Sequence, residues 1–131
     1  MLLWLLAVLV LIILIVYLAV PKHVLTPSNN NKAYLVQAGD EHASANMLSK
    51  VDERVTILLD YLRANPSHDF KQYEDQLLNA NITLIEASPM GKHTSYTVNK
   101  SKIAICLRTR TGILHDINTI MYVVIHELAH V

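Results

Sequence analysis

The sequence predicts an α+β fold that follows an N-terminal transmembrane helix. Three observations lead to this prediction: an unbroken apolar run opens the chain, two stretches with helical apolar spacing follow it, and short β-branched runs then precede a last helical stretch. The 131 residues are 52% hydrophobic, and eleven Lys and Arg balance eleven Asp and Glu. This balance excludes a protein that binds nucleic acid through bulk charge, so we expect no nucleic-acid partner. One cysteine, Cys106, excludes an intrachain disulfide framework.

The apolar run covers Met1 to Val20 without a break. A helix of about twenty residues is about 30 Å long, which matches the hydrocarbon core of a bilayer. No Lys or Arg precedes the run, and cleavage after Ala19 would place the bulky Tyr17 where a small side chain is required. The sequence therefore favours a retained single-pass anchor, with the membrane as a partner, over a cleaved signal peptide. Lys22 and Lys32 follow the span, so the positive-inside tendency favours the cytoplasmic side for the domain.

Residues 21–33, PKHVLTPSNNNKA, contain two prolines and a run of asparagines but no apolar period. This composition is typical of a linker. We therefore predict a flexible tether over residues 21–33, between an anchor over residues 1–20 and a domain over residues 34–131.

Two amphipathic helices are predicted at the start of the domain. Ser44 is a residue type that caps helices, and Asn65-Pro66 ends the pattern that follows it. Between them, apolar residues recur at steps of three and four: Leu48, Val51, Val55, Leu58, Leu59 and Leu62. Ser67 can cap a shorter second helix, in which Phe70, Tyr73, Leu77 and Leu78 share a face.

Three short runs rich in β-branched residues follow, over residues 82–87, 94–98 and 103–107. The last two are separated by a four-residue loop, so we predict a hairpin within a small antiparallel sheet. Residues 108–112 form a further turn. Asp116 or Asn118 then caps a last helix, which we expect to continue to the final residue.

The last helix contains the sequence His126-Glu127-Leu128-Ala129-His130, an H-E-x-x-H motif. A spacing of four on a helix places the two histidines on one face, where their imidazoles can occupy adjacent corners of a zinc tetrahedron. Glu127 lies one step around the helix. Its carboxylate can reach a metal-bound water and take its proton as that water attacks a carbonyl carbon.

The motif is more specific than its length suggests. With seven His and five Glu in 131 residues, chance alone gives about 0.01 such motifs. The residues around it are uncharged, as a helix requires when its far side is buried. The alternative is a helix whose histidines only lie at the surface. We disfavour it, because two His and a Glu in an apolar segment are costly to bury without a metal or partners.

The segment VVIHELAHV resembles the metal-binding helix of zincin metallopeptidases, and the predicted order of elements is similar to the minimal zincins of the WLM and SprT-like kind. The stretches TSYTVNKSKIAICLR and DINTIMYVVIHELAHV are also similar to small membrane-anchored zincin-like proteins of giant DNA viruses. The resemblance covers residues 34–131. It implies a peptidase that uses Zn²⁺, with His126 and His130 as ligands and Glu127 as the catalytic base. It also implies a sheet edge, for which we take residues 103–107, that pairs with an extended peptide substrate.

The chain departs from the zincin pattern at the third metal ligand. In those families this ligand lies downstream of the motif helix, whereas one residue follows His130 here. A catalytic zinc normally has three protein ligands, and no Gly or Asn ends the helix. We therefore expect a domain truncated at its C-terminus. Otherwise the third ligand comes from a second chain or from upstream, where the candidates are His93, His115, Asp116 and Glu86.

The sequence leaves more than one function open. The first is a membrane-anchored zinc peptidase, or the N-terminal fragment of one, that hydrolyses peptides or proteins near a membrane. The alternative is a non-catalytic, membrane-tethered module whose motif helix only packs or binds metal structurally. A third, proteolysis of DNA-bound proteins, is disfavoured by the anchor and by the neutral charge balance. Cys106 alternates with Ile105 and Leu107, so we predict a core thiol rather than a nucleophile.

Overall fold

The computed structural model describes residues 1–19, 23–66, 71–79, 81–87, 95–98 and 101–130. The helices are α1 (Leu2–Ala19), α2 (Glu41–Ala64), α3 (Lys71–Asn79) and α4 (Ile117–Leu128). The strands are β1 (His23–Pro27), β2 (Ala33–Gln37), β3 (Thr83–Glu86), β4 (Tyr96–Val98) and β5 (Lys102–Ile105). The predicted α+β class is confirmed.

The predicted N-terminal transmembrane helix is wrong. Helix α1 covers Leu2–Ala19, which is 18 residues. In the part of the chain that the structure describes, no helix has both the length and the apolar character needed to cross a membrane. This finding also contradicts the predicted single-pass membrane location, and with it the predicted cytoplasmic side of the domain.

The predicted tether contains a β-hairpin instead. Strands β1 and β2 pair antiparallel, with His23 opposite Gln37 and Pro27 opposite Ala33. A tight turn joins them, in which the N–H of Ser28 donates to the carbonyl of Lys32 at 2.9 Å. Serine and asparagine side chains favour turns as well as linkers, because they hydrogen-bond to nearby backbone groups. The composition of residues 21–33 therefore could not separate the two structures.

The three-stranded sheet has β5 at its centre, in the order β3-β5-β4. The predicted hairpin is confirmed, because β4 pairs antiparallel with β5 and Thr97 lies opposite Ile103. Strand β3 pairs with β5 in parallel, with Leu84 opposite Ile103 and Glu86 opposite Ile105. The sheet is therefore mixed, and the prediction of an antiparallel sheet is wrong.

Helix α2 begins four residues earlier than the sequence indicated. Its N-cap is Asp40, and Ser44 is buried inside the first turns, where its hydroxyl takes part in tertiary hydrogen bonds. The helix ends at Ala64, and Asn65 is its C-cap, in agreement with the predicted stop at Asn65-Pro66. The backbone N–H of Asn65 donates to the carbonyl of Tyr61 at 2.9 Å. The second predicted helix corresponds to α3. Its expected cap Ser67 and the residue Phe70 lie outside the described residues.

The main core lies between one face of the three-stranded sheet, the hairpin and the helices α2 and α4. The predicted stripe of α2 supplies part of it and is confirmed. The buried members are Tyr34 and Val36 from β2, Ala45, Leu48, Val51 and Val55 from α2, Leu84, Ile103, Ile105 and Leu107 from the sheet and the residues after it, and Ile120, Val124 and Leu128 from α4.

The opposite face of the sheet carries a smaller buried cluster. Ile85, Ala87 and Ala104 form it, and Cys106 packs against them half-buried. The thiol of Cys106 lies 3.4 Å from the carbonyl of Arg108, and its placement fits the predicted packing role.

A polar network around Glu86 joins the β1–β2 hairpin to the three-stranded sheet. Glu86 is 3% exposed. Its carboxylate accepts hydrogen bonds from the backbone N–H of Gln37 and from the hydroxyl of Ser44, each at 3.4 Å. Its backbone carbonyl lies 2.7 Å from Nε2 of His23. Burial raises the pKa of the Glu86 carboxyl above its usual value. The hydrogen bonds from Ser44 and Gln37 and the charge of Arg108 lower it by less.

We expect Glu86→Gln to remove a pH-dependent loss of stability. A carboxyl group whose pKa is higher in the folded protein than in the unfolded chain stabilises the fold most at pH values below its unfolded pKa, near 4.5. This stabilisation is lost as the pH rises through the pKa of the folded protein. The melting temperature of Glu86→Gln minus that of the wild type should therefore increase from pH 4 to pH 7. Glu53→Gln, at an exposed position of α2, is the control and should show no such increase. A difference for Glu86→Gln that falls with rising pH would contradict the assignment.

Candidate metal centre

Helix α4 carries the H-E-x-x-H motif, and its start is fixed by a side-chain cap. The carboxylate of Asp116 accepts a hydrogen bond from the backbone N–H of Thr119 at 2.7 Å, which lowers the pKa of the Asp116 carboxyl. Of the two caps predicted, Asp116 is therefore the one used. Ile120, Val124 and Leu128 are buried at steps of four and hold the helix against the core. The opposite side of the motif consequently faces solvent.

The last turn of the motif is tighter than an α-helix. Helix α4 ends at Leu128 rather than at the final residue, but Ala129 keeps right-handed helical angles, with φ −66° and ψ −18°. The N–H of His130 donates to the carbonyl of Glu127 at 3.0 Å, an i to i−3 bond typical of a helix end. His130 therefore still lies one turn beyond His126.

The two imidazoles meet at the surface. Nε2 of His126 and Nε2 of His130 lie 3.3 Å apart, with ring centroids 4.9 Å apart and planes at 71°. Two ligand atoms at adjacent corners of a tetrahedron, each about 2.0 to 2.1 Å from its centre, are about 3.3 to 3.4 Å apart. Both side chains are exposed. The spacing of the pair thus fits two ligands of one tetrahedral zinc ion. Without a metal, one Nε2–H can donate to the other ring's Nε2.

Glu127 points away from solvent and is 8% exposed. Its Oε2 accepts a hydrogen bond from the Thr97 hydroxyl at 2.8 Å, and Thr97 belongs to the edge strand β4. The carboxylate therefore lies between the motif helix and the edge of the sheet. Sequence reasoning missed Thr97, since it lies 30 residues from Glu127 and no period of either element marks the contact.

The upstream candidates for a third ligand do not meet the histidine pair. Asp116 is the cap at the other end of α4, ten residues and about 15 Å from His126, and His115 precedes it. Glu86 lies on β3, two strands from β4, which corresponds to about 10 Å, and it is engaged in the network described above. His93 lies outside the described residues.

A complete metal site is not formed by the described residues alone. Across residues 1–130, excluding the gaps given above, no group of three or more His, Cys, Asp or Glu side chains could hold a metal ion. The structure therefore brings together His126 and His130, which are two candidate ligands, while the carboxylate of Glu127 is directed toward Thr97.

The prediction that residues 103–107 form the sheet edge that receives a peptide is wrong. Residues 103–107 begin in β5, which is hydrogen-bonded on one side to β3 and on the other to β4 and so has no free edge. Strand β4 is an edge strand, and its Thr97 contacts Glu127. The edge closest to the motif is thus that of β4.

We expect Thr97→Val to destabilise the fold by about 1 to 3 kcal/mol, because it leaves the buried Glu127 carboxylate without its hydroxyl donor. Thr97→Ser keeps the donor and should recover most of this loss. Urea unfolding of the three proteins measures the difference. Equal stability of Thr97→Val and the wild type would show that the hydrogen bond contributes nothing.

Two viral proteins are similar to this chain. An uncharacterized protein of Acanthamoeba polyphaga mimivirus is 50% identical over 108 residues, which cover 77% of this chain and 55% of the relative. An uncharacterized protein of Invertebrate iridescent virus 3 is 55% identical over 38 residues, which cover 28% of this chain and 24% of the relative. The chain thus spans about half the length of the first relative and about a quarter of the second.

No protein-family model matches the chain. No solved structure matches it either. The viral part of the predicted resemblance is confirmed by the two relatives, while their names state no activity.

Proposed function

We propose that the end of α4 is the zinc site of a peptidase, in which His126 and His130 are metal ligands and Glu127 is the general base. The observation that supports this most directly is the 3.3 Å separation of the two Nε2 atoms, which equals the edge of a zinc tetrahedron. When bound, zinc would act as a Lewis acid that lowers the pKa of a water to about 7. Because the chain spans about half of the mimivirus relative, the activity of the whole protein is part of the proposal.

In this proposal the two histidines and Glu127 have separate roles. The exposed imidazoles of His126 and His130 would hold the metal at the protein surface, where a substrate can reach it. Glu127 takes a proton from the attacking water and passes it to the leaving amine, which requires its carboxylate to turn from Thr97 toward the histidines. A third ligand completes the site from beyond the described residues.

The substrate class follows from the sheet edge. Strand β4 is an edge strand beside the motif helix, and the structure pairs none of the described strands with its outer side. An extended peptide can add to such an edge through backbone hydrogen bonds. This favours an unfolded or extended polypeptide substrate that lies along Tyr96–Val98.

One observation favours the non-catalytic alternative. Glu127 is buried and hydrogen-bonded to Thr97, as a residue that only ties a helix to a sheet would be. In this function the histidine pair binds metal structurally and no peptide is cleaved. The two functions therefore differ in whether Glu127 affects hydrolysis or only stability.

We expect zinc to shift the ring signals of His126 and His130 before those of the other five histidines in an NMR titration. His126→Ala and His130→Ala should each lose most of the binding, whereas the control His42→Ala, at an exposed position of α2, should keep it. Glu127→Gln should keep the metal and lower hydrolysis of an unfolded protein substrate by about 100-fold or more.

Two results would contradict the proposal. Zinc that shifts all seven histidines alike would exclude the site. Hydrolysis by Glu127→Gln at the wild-type rate would exclude Glu127 as the base. Zinc binding without hydrolysis by the wild type would favour the structural alternative.

A further inference from the structure

The β1–β2 hairpin has an edge at which no described strand pairs. Strand β1 pairs with β2 on one side and with none of the described strands on the other. The network of Glu86 lies between β2 and β3, on the side of β2 away from β1. The edge of β4 beside the motif helix belongs to the other sheet, on the far side of β5. The outer edge of β1 is therefore a surface separate from the candidate metal centre.

The ladder of the hairpin indicates which backbone groups face this outer edge. The N–H of Ser28 donates to the carbonyl of Lys32 opposite it, so this is a hydrogen-bonded pair. Hydrogen-bonded and non-hydrogen-bonded pairs alternate along an antiparallel ladder. His23, Leu25 and Pro27 therefore belong to non-hydrogen-bonded pairs, and their backbone groups point away from β2.

Two further observations agree with this assignment. Pro27 has no N–H, so it could not donate to β2 in a hydrogen-bonded pair. The N–H of Gln37, which lies opposite His23, donates to the Glu86 carboxylate rather than to β1. The outer edge consequently presents the N–H and carbonyl groups of His23 and Leu25, and the carbonyl of Pro27.

The side chains along this edge do not protect it from pairing. Leu25 is 65% exposed, and Leu35, opposite it on β2, is exposed on the same face. Residues 23–27, HVLTP, contain no Lys, Arg, Asp or Glu. Edge strands that avoid pairing commonly carry a charge or an interrupting proline, whereas Pro27 is the last residue of β1. The edge is therefore open to another strand.

The edge is complementary to itself. Leu25 is the central residue of the five in β1, so two antiparallel copies can place Leu25 opposite the same residue of the second copy, and His23 opposite Pro27. The two Leu25 residues then exchange two backbone hydrogen bonds, and the N–H of each His23 donates to the carbonyl of Pro27 in the other copy. In this register only the His23 carbonyls lack a donor, because proline has none.

Side chains and charges are compatible with the same register. Leu35 and Leu25 of both copies form one row across four strands, about 5 Å apart from strand to strand. No like charges meet, since the paired strands carry no charge. Helix α2 packs on the opposite face of the hairpin, over Tyr34 and Val36. The two β2 strands would be about 14 Å apart, and packed helices need only about 8 to 10 Å, so the two copies of α2 do not collide.

We propose that a second copy of this chain docks on the outer edge of β1 and forms a two-fold symmetric dimer with a four-stranded sheet in the order β2-β1-β1-β2. The paired strands are short, so the interface is small and the dimer dissociates on dilution. The dimer is independent of the proposed zinc chemistry, because it involves neither His126 nor His130.

Disulfide trapping tests the register in the full chain. Cys106→Ala removes the native thiol and is the background for both variants. Leu25→Cys places two Cα atoms about 5.5 Å apart across the dimer, within the range of a disulfide. Val24→Cys is the matched control at an exposed position, because the two Val24 residues lie on a diagonal about 7 to 8 Å apart. We expect Leu25→Cys to form the linked dimer about ten times faster or more.

Sedimentation equilibrium tests the association itself. Leu25→Pro removes the outward N–H and keeps the hydrogen bonds between β1 and β2, so it should raise the dimer Kd about tenfold or more. Leu25→Thr keeps the N–H and should dimerise more tightly than Leu25→Pro. Association through the exposed apolar helix α1 would be the same in all three proteins. If Leu25→Pro does not fold, the trapping experiment still decides.

Two results would overturn the proposal. Equal trapping rates for Leu25→Cys and Val24→Cys would mean that the copies do not meet in this register. A wild-type chain that stays monomeric, or that dimerises no more tightly than a folded Leu25→Pro, would mean that the outer edge of β1 does not hold a second copy and is open to a different polypeptide.

Discussion

The structure depends on the position of β5 at the centre of its sheet. This strand is hydrogen-bonded on both sides, and its residues Ile103, Ala104 and Ile105 are fully buried. Its two faces therefore require cover, and α2 and α4 supply it on the side of Ile103 and Ile105. Because α4 is anchored there by Val124 and Leu128, the exposed end of the motif helix comes to lie beside the edge strand β4. The site geometry is thus a consequence of how the core packs.

The two ends of this core carry different chemistry. At one end, exposed imidazoles and a buried carboxylate lie beside β4, whose outer side pairs with none of the described strands, and here we propose a metal and an extended chain. At the other end, the carboxyl ends of the parallel strands and the N-terminus of α2 surround a cleft of about 340 Å³. The network of Glu86 connects the second end to the hairpin, so the hairpin is part of the cleft rather than a spacer.

Sequence patterns predicted the features that depend on residues close together in the chain. The stripe of α2, the β4–β5 hairpin, the cap at Asp116 and the spacing of His126 and His130 all depend on residues close in sequence, and all are present. The parallel pairing of β3 with β5 and the Thr97–Glu127 contact depend on packing between distant segments, and no periodicity encodes them. Composition alone predicts a membrane span over residues 1–20 and a tether over residues 21–33. No described helix meets the requirements of a span, and residues 23–27 pair with residues 33–37 in a hairpin.

The proposed zinc site requires His126 and His130 to be ligands of one ion. X-ray absorption at the zinc edge of the zinc-loaded chain measures this most directly, because imidazole ligands give a distinctive multiple-scattering pattern. We expect two imidazole nitrogens at about 2.0 to 2.1 Å from the zinc and the loss of one of them in His130→Ala. A first shell of oxygen atoms alone, or a spectrum unchanged when both histidines are replaced by alanine, would contradict it.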